Sequence, residues 1–167
     1  RISVIVGLSA AAIDTVIAAF IGIVTGYAGR KLDLVVQRFV DAWIAFPGLV
    51  IILTVMAVVG QGIVQIIVVL GVSAGIRSSR VIRGATISVK ENVYVEAARA
   101  TGCSTTRVLA QHILPNVMAP TIIIFTIAVG GAILSEASLS FLGFGIPPPA
   151  PSWGGMLSWE GRQYMLQ

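Results

Sequence analysis

Long apolar stretches separated by short basic connections set the pattern of this chain. The first runs from Ile2 to Ala28, with Asp14 as its single charged residue. A second uncharged run lies between Asp41 and Arg77. It is too long for one helical crossing, because at ~1.5 Å per residue it would reach roughly 50 Å against a bilayer core of about 30 Å. Gly60-Gln61-Gly62 sits near its middle and supplies a turn, so the run predicts an antiparallel helix pair. A fourth apolar stretch extends from Pro115 to Ser135. The pattern therefore predicts one transmembrane domain over 1–167, with spans over 2–28, 36–59, 63–84 and 115–135. A connecting loop over 85–114 and a terminal loop over 137–167 complete it. Pro147-Pro148-Pro149-Ala150-Pro151 cannot continue a helix and places an irregular segment in that terminal loop. No ten-residue alternation recurs, which argues against a barrel. The fold class expected is an all-α polytopic bundle.

Composition agrees with lipid as the main solvent. Hydrophobic residues make up 56% of the chain and charged residues 11%, against about 25% charged in soluble domains. The net charge of +4 brings nucleic acid to mind. No basic stripe is interleaved with exposed aromatics, so nucleic acid is not an expected partner. The cations mark topology instead. Arg30, Lys31 and Arg38 lie between the first two spans, and Arg77, Arg80, Arg83, Lys90, Arg99 and Arg107 between the third and fourth. The Gly60 hairpin carries none. The positive-inside rule puts both basic connections in the cytoplasm and both ends of this chain outside.

The segment after the third span has its own signature. Arg77, Arg80 and Arg83 recur at helical spacing, as though the span ran on past the membrane. Glu91 to Ala100 is rich in helix formers, and Glu96 and Arg99 are close enough in sequence to pair. Gly102 suits a helix C-terminus, Ser104 suits the cap of a second short helix through Leu109 and His112, and Pro115 opens the next span. The result is a cytoplasmic helix–Gly–helix elbow. Alanines on its surface and the projecting Glu96 carboxylate suit docking into a partner's groove. The plainer reading is an interfacial amphipathic hairpin without a partner.

Glu96-Ala97-Ala98, Gly102 and then His112-Ile113-Leu114-Pro115 resemble the EAA loop of ABC importer permeases. The general pattern of that family has isoleucine where His112 stands. His112-Ile113-Leu114-Pro115-Asn116 is similar instead to the dipeptide/oligopeptide/nickel branch. Gly26-Tyr27-Ala28-Gly29, Arg38 to Asp41 with Phe46-Pro47, and Leu139 to Gly145 followed by Pro148, Pro151, Ser152, Trp153 and Gly154 extend the likeness over the chain, the last resembling the C-type subunit. The resemblance implies a heterodimer with a B-type permease subunit, cytoplasmic ABC ATPase subunits beneath, and an extracytoplasmic substrate-binding protein. It implies that ATP and magnesium belong to the partner subunits, that this chain carries no cofactor, and that the home membrane is the inner membrane of a prokaryote. It assigns ATPase docking to Tyr94, Val95, Glu96, Ala97, Ala98, Arg99 and Gly102, and a loop motif at the opening of the next span to His112, Leu114, Pro115 and Asn116. Six spans are usual in the family, which places one before Arg1 and another after Gln167. Peptides, nickel complexes, glutathione and opines are the solutes such permeases carry.

Competing motifs are weaker. Gly71-Val72-Ser73-Ala74-Gly75 fits the nucleophile-elbow pattern, but it falls within a helical span and His112 is the chain's single histidine. No phosphate-binding Gly-x-x-x-x-Gly-Lys-Ser/Thr occurs, so ATP is not expected to bind here and no enzymatic activity is expected. Cys103 is alone and has neither a disulfide partner nor a metal-ligand cluster. Asp14 is a carboxylate within a span and marks either a pathway or an interhelical bond. Glu136 is expected at the outer membrane interface, and Trp43, Trp153 and Trp159 in interfacial belts. Gly22-xxx-Gly26 and Gly71-xxx-Gly75 are candidates for close helix packing. A self-contained channel or secondary transporter, built on Asp14 and the span interfaces without an ATPase, is the alternative from another class.

Overall fold

The computed structural model describes residues 1–146 and 152–157. Among the described residues eight α-helices follow one another: α1 (Ile2–Ala28), α2 (Arg30–Ala45), α3 (Gly48–Val59), α4 (Ile63–Lys90), α5 (Val93–Ala100), α6 (Thr105–Val108), α7 (Leu114–Phe141) and α8 (Trp153–Leu157). A π-helical turn, Leu109–Ile113, joins α6 to α7. Three helical stretches, Ile2–Ala28, Ile63–Lys90 and Thr105–Phe141, are long and apolar enough to cross a membrane, and α2 with α3 forms a bent fourth. Large apolar side chains such as Phe20, Val58, Ile127 and Leu134 stand exposed on the outside. This is an all-α polytopic membrane bundle.

The bundle is built on α1 against α4. Gly71 and Gly75 of α4 meet Ala10, Ile13, Asp14 and Ile17 of α1, while Gly22 and Gly26 of α1 meet Ser79, Ile82, Arg83 and Thr86 of α4. The near-constant offset between partners shows the two helices running parallel. A β-carbon at Gly71 would lie 2.6 Å from the Ile13 Cβ, and one at Gly22 would lie 2.7 Å from the Ser79 carbonyl oxygen. No side chain fits there. In lipid, where burying apolar surface gains little, such close backbone approach is what dispersion attraction requires. Helix α7 runs antiparallel across α1, with Ile133 over Gly7.

The expected second span, 36–59, is broken. Helix α2 begins earlier, at Arg30, and meets α3 at an angle of 89°. Pro47 has no N–H to donate and forces Phe46 into extended backbone (φ −87°, ψ 142°), which ends α2. Helix α3 then has 12 residues, or about 18 Å, less than a full crossing. Helix α2 is tied to α4 by charge. Arg83 donates twice to Asp33 at 2.6 Å, and Arg80 pairs with Asp41, which Arg38 also approaches at 3.8 Å. Two of the regularly spaced arginines are thus engaged inside the fold.

Other boundaries also differ from the sequence pattern. Helix α4 continues to Lys90, and α7 continues through Glu136 to Phe141 rather than ending at Ser135. The polar Glu136 does not stop the helix because its carboxylate is fully enclosed, accepting a 2.7 Å hydrogen bond from Ser140, which Ser152 contacts in turn. Its other oxygen has no partner, and the side chain is buried within the bundle. The Trp43 indole N–H is buried without a partner, and its ring borders a groove with Val55 and Val72. Trp153 is half exposed at the start of α8, while Trp159 and the proline run lie outside the described residues. Gly60 adopts φ +89° in the α3–α4 turn, and Gln61 donates to the Gly143 carbonyl at 2.6 Å.

Replacing Gly71 or Gly22 with Val should lower the stability of the full-length protein by about 1–3 kcal/mol, the usual cost of overpacking. Gly84, whose β-carbon would meet nothing, should accept Ala with a gain of up to about 1 kcal/mol. Thermal unfolding in detergent, followed by size-exclusion fluorescence, distinguishes the two outcomes.

Candidate functional site: an elbow bonded to three helices

At the end of the bundle away from the Gly60 hairpin, the chain leaves α4 at Lys90 and folds into the elbow. Asn92 starts α5 in extended backbone, its side-chain amide donating back to the Ser88 and Val89 carbonyls. Thr101 closes α5 by donating to the Ala97 and Ala98 carbonyls. Gly102 follows at φ +80°, a left-handed conformation that permits the reversal and strains any β-carbon. Ser104 occupies the cap position of α6, yet its hydroxyl faces Thr106 at 3.2 Å and makes no bond to the helix amides. The cap is a backbone one, the Val108 N–H donating to the Ser104 carbonyl.

The two arms close over a small apolar core. Val95, Ala98, Val108, Ile113 and Val117 are buried together, and Ile23 and Tyr27 of α1 and Ala85 and Val89 of α4 pack against them. Val95 and Ala98 therefore face inward and fasten the elbow, whereas Tyr94, Glu96, Ala97, Arg99 and Gly102 are exposed on its outer side. This split follows from helical geometry, since residues three apart share a face. Arg99 does not pair with Glu96. Its guanidinium lies over the Tyr27 ring at 4.9 Å from the centroid, and among the described residues no ion pair includes Glu96. Lys90 joins the same ring at 5.7 Å and donates at 2.7 Å to the Tyr27 carbonyl at the C-terminus of α1. A cation there also answers the helix dipole. Tyr27 thus holds α1, the end of α4 and α5 together, a role that no local sequence signal announces.

The second arm does not end before Pro115. It passes through the π turn, in which the Leu114 N–H bonds to the Leu109 carbonyl five residues back, and continues directly into α7. The wider turn accommodates Pro115, which has no N–H to offer. Asn116 donates its side-chain amide to the His112 carbonyl at 2.7 Å. The His112 ring stands 6.2 Å from that of Tyr94, tilted by 45°, so it bridges the two arms. Leu114 is exposed at the surface of α7. Val95 and Ile113 thus connect α5 to α7, and Tyr27 connects it to α1. Among the described residues no cluster of His, Cys, Asp or Glu could hold a metal.

A second polar feature lies inside the bundle. Asp14, Ser73, Arg77 and Ser78 line a cavity of about 490 Å³ between α1, α3, α4 and α7. Asp14 is 2% exposed, and its Oδ1 has no hydrogen-bond partner. The Arg77 Nη2 is also buried without one. Ser73, the centre of the Gly-x-Ser-x-Gly pattern, sits in mid-helix on this wall with no imidazole near it.

The comparisons with known proteins place this membrane bundle among transport permeases. Residues 18–165 match the family described as binding-protein-dependent transport system inner membrane component. The chain belongs to that family. It is 36% identical over 158 residues to the oligopeptide transport system permease protein OppC of Bacillus subtilis, covering 95% of this chain and 52% of the relative. It is 37% identical over 171 residues to the glutathione transport system permease protein GsiD of Escherichia coli, covering 98% and 56%. A putative peptide transport system permease protein of Brucella suis is 37% identical over 166 residues, covering 99% and 55%. The chain spans about half the length of these curated relatives.

Truncating Ile113 to Ala should loosen the elbow by about 2–5 kcal/mol, as loss of a buried aliphatic side chain does. Ala97→Ser on the exposed face should fall within about 0.5 kcal/mol of the parent. Limited proteolysis between residues 93 and 113 of the full-length protein reads the difference, with faster cleavage expected for the Ile113 variant alone.

Proposed function

We propose that this chain is the transmembrane subunit of an ATP-driven, binding-protein-dependent ABC importer in a prokaryotic inner membrane. It forms half of the pathway for peptides or a related small solute. The elbow lies on the cytoplasmic side and couples the chain to an ATPase subunit. A B-type permease subunit completes the pathway, and an extracytoplasmic binding protein delivers the solute. ATP and magnesium reside on the ATPase partners.

One observation carries this reading: the elbow presents Tyr94, Glu96, Ala97 and Arg99 outward while its inner face is fixed to α1, α4 and α7. A solvated hairpin with no task needs no such anchorage. A connection that transmits force does, because a push on a loosely attached loop is lost in loop motion. The exposed alanine lets a partner groove approach closely, and the Glu96 carboxylate is free to meet a cation there. The inward pair, Val95 and Ala98, supports the contact without touching the partner. The transport roles that the relatives' names give them support the same assignment. The cycle is alternating access: closure of the ATPase dimer moves the two elbows together, and the attached helices exchange one packing for another.

In the purified full-length complex, Glu96→Lys and Gly102→Pro should each abolish uptake and transport-linked ATP hydrolysis while leaving membrane insertion intact. Proline's φ near −65° is incompatible with the +80° at Gly102. Normal ATP-driven uptake by either variant would rule out the coupling role. Transport without ATP, by a protein that co-purifies with no nucleotide-binding subunit, would rule out the importer reading altogether in favour of a self-contained channel or secondary transporter.

A further inference from the structure

The cavity is open on one side, where Val81 and Ile127 are exposed, and has two poles of opposite charge. At one, Asp14 projects a carboxylate whose Oδ1 is buried and unpaired. At the other, the Arg77 guanidinium lies against Gly48, at the very start of α3, with Nη2 buried and unpaired. Gly48 and Leu49 also line the cavity. Pro47 provides no side-chain cap, so the first amides of α3 have no side-chain partner at this break in the chain. A helix N-terminus carries partial positive charge, which makes it a poor neighbour for arginine alone and a good one for an anion shared with arginine. The carbonyl of Asp14 lies against Gly75, two residues before Arg77, so both poles sit at the same level of the α1–α4 pair. Even so, among the described residues no ion pair joins them.

Ser78 hydrogen-bonds the Asp14 carboxylate, but its Oδ1 and the Arg77 Nη2 are each buried without a partner, and buried polar atoms of opposite charge are costly unless something completes both. From these observations we propose that the cavity is a mid-membrane binding site for a small zwitterion such as a short peptide. The ligand's carboxylate is taken by Arg77 and the α3 N-terminus, and its ammonium group by Asp14. The volume is in the range that holds a small molecule. Ser73 and Ser78 offer hydroxyls along the wall between the poles. The break at Pro47 then has a use beyond ending α2: it turns a helix N-terminus toward the solute at membrane depth, where irregular backbone is tolerated because it lines a cavity. This inference rests on the transport reading above and adds to it a place of contact and the charged groups that hold the solute's two ends.

The test is direct binding of radiolabelled dialanine to the full-length protein, purified in nanodiscs with the subunits that accompany it. Saturable binding is expected. It should weaken about tenfold or more for both N-acetyl-dialanine and dialanine amide, each of which removes one charge. Asp14→Asn should lower affinity for dialanine by a similar factor and erase the penalty for N-acetylation. Arg77→Gln should do the same for amidation, while Arg77→Lys retains part of the affinity. The capped ligands test the wild-type protein, so a variant that fails to fold does not blunt the experiment. No saturable binding, or binding indifferent to capping, overturns the site. ATP-driven uptake measured on the same preparation separates the two ideas. Charge-selective binding without such uptake defeats the importer reading alone, and uptake without charge-selective binding defeats the cavity alone.

Discussion

The close parallel packing of α1 on α4 is the constraint from which the rest of the molecule follows. Four glycines let the two backbones approach to distances that exclude any β-carbon. In a bilayer this matters more than in water, because lipid competes equally well for apolar side chains and only tight, extensive contact favours helix over lipid. With α1 and α4 fixed, their ends come together at one end of the bundle. Tyr27 and Lys90 can then meet, and the elbow acquires a floor. The arginines on the next face of α4 are likewise placed where α2 can supply Asp33 and Asp41.

The same packing explains why the interior is polar at mid-height. Two apolar clusters occupy the bundle, one around Val6, Ile66 and Leu139 and one beneath the elbow. Between them, Asp14 on α1 and Ser73 and Arg77 on α4 interrupt the apolar faces at matching heights. Helix α3, which starts only after the break at Pro47 and ends before Gly60, is too short to complete a crossing and borders this region with its first turn. A cavity with charged walls is the consequence. The elbow and the cavity thus share α1 and α4 as common walls, which gives a mechanical route between the site of proposed energy input and the site of proposed solute contact.

Hydrophobic length and charge placement already marked helices, hairpin and elbow in the sequence. Gly60, Gly102 and Pro47 marked three of the turns, because each is the residue type its backbone geometry demands. The elbow's outward residues were legible as a pattern, yet Val95 and Ala98 could not be separated from Glu96 and Ala97 by spacing alone. Which face of α5 turns inward depends on where Ile113 and Tyr27 lie, and both are distant in sequence. Arg99 showed the same limit. Its neighbour Glu96 is one turn away, but an aromatic ring from α1 offers a better-desolvated partner.

The sequence by itself determined the class of protein, its long apolar helices and the position of the exposed elbow, though not the break of the second span into α2 and α3, since these depend on local periodicity, on residues with special backbone preferences and on charges excluded from lipid. The tertiary structure alone decided how the charges inside are spent. Arg80 and Arg83 turn to α2, Arg77 turns to the start of α3, Glu136 is enclosed by serines, and Asp14 is left facing a cavity. A buried charge is governed by whatever reaches it across a helix interface, and such partners lie tens of residues away along the chain.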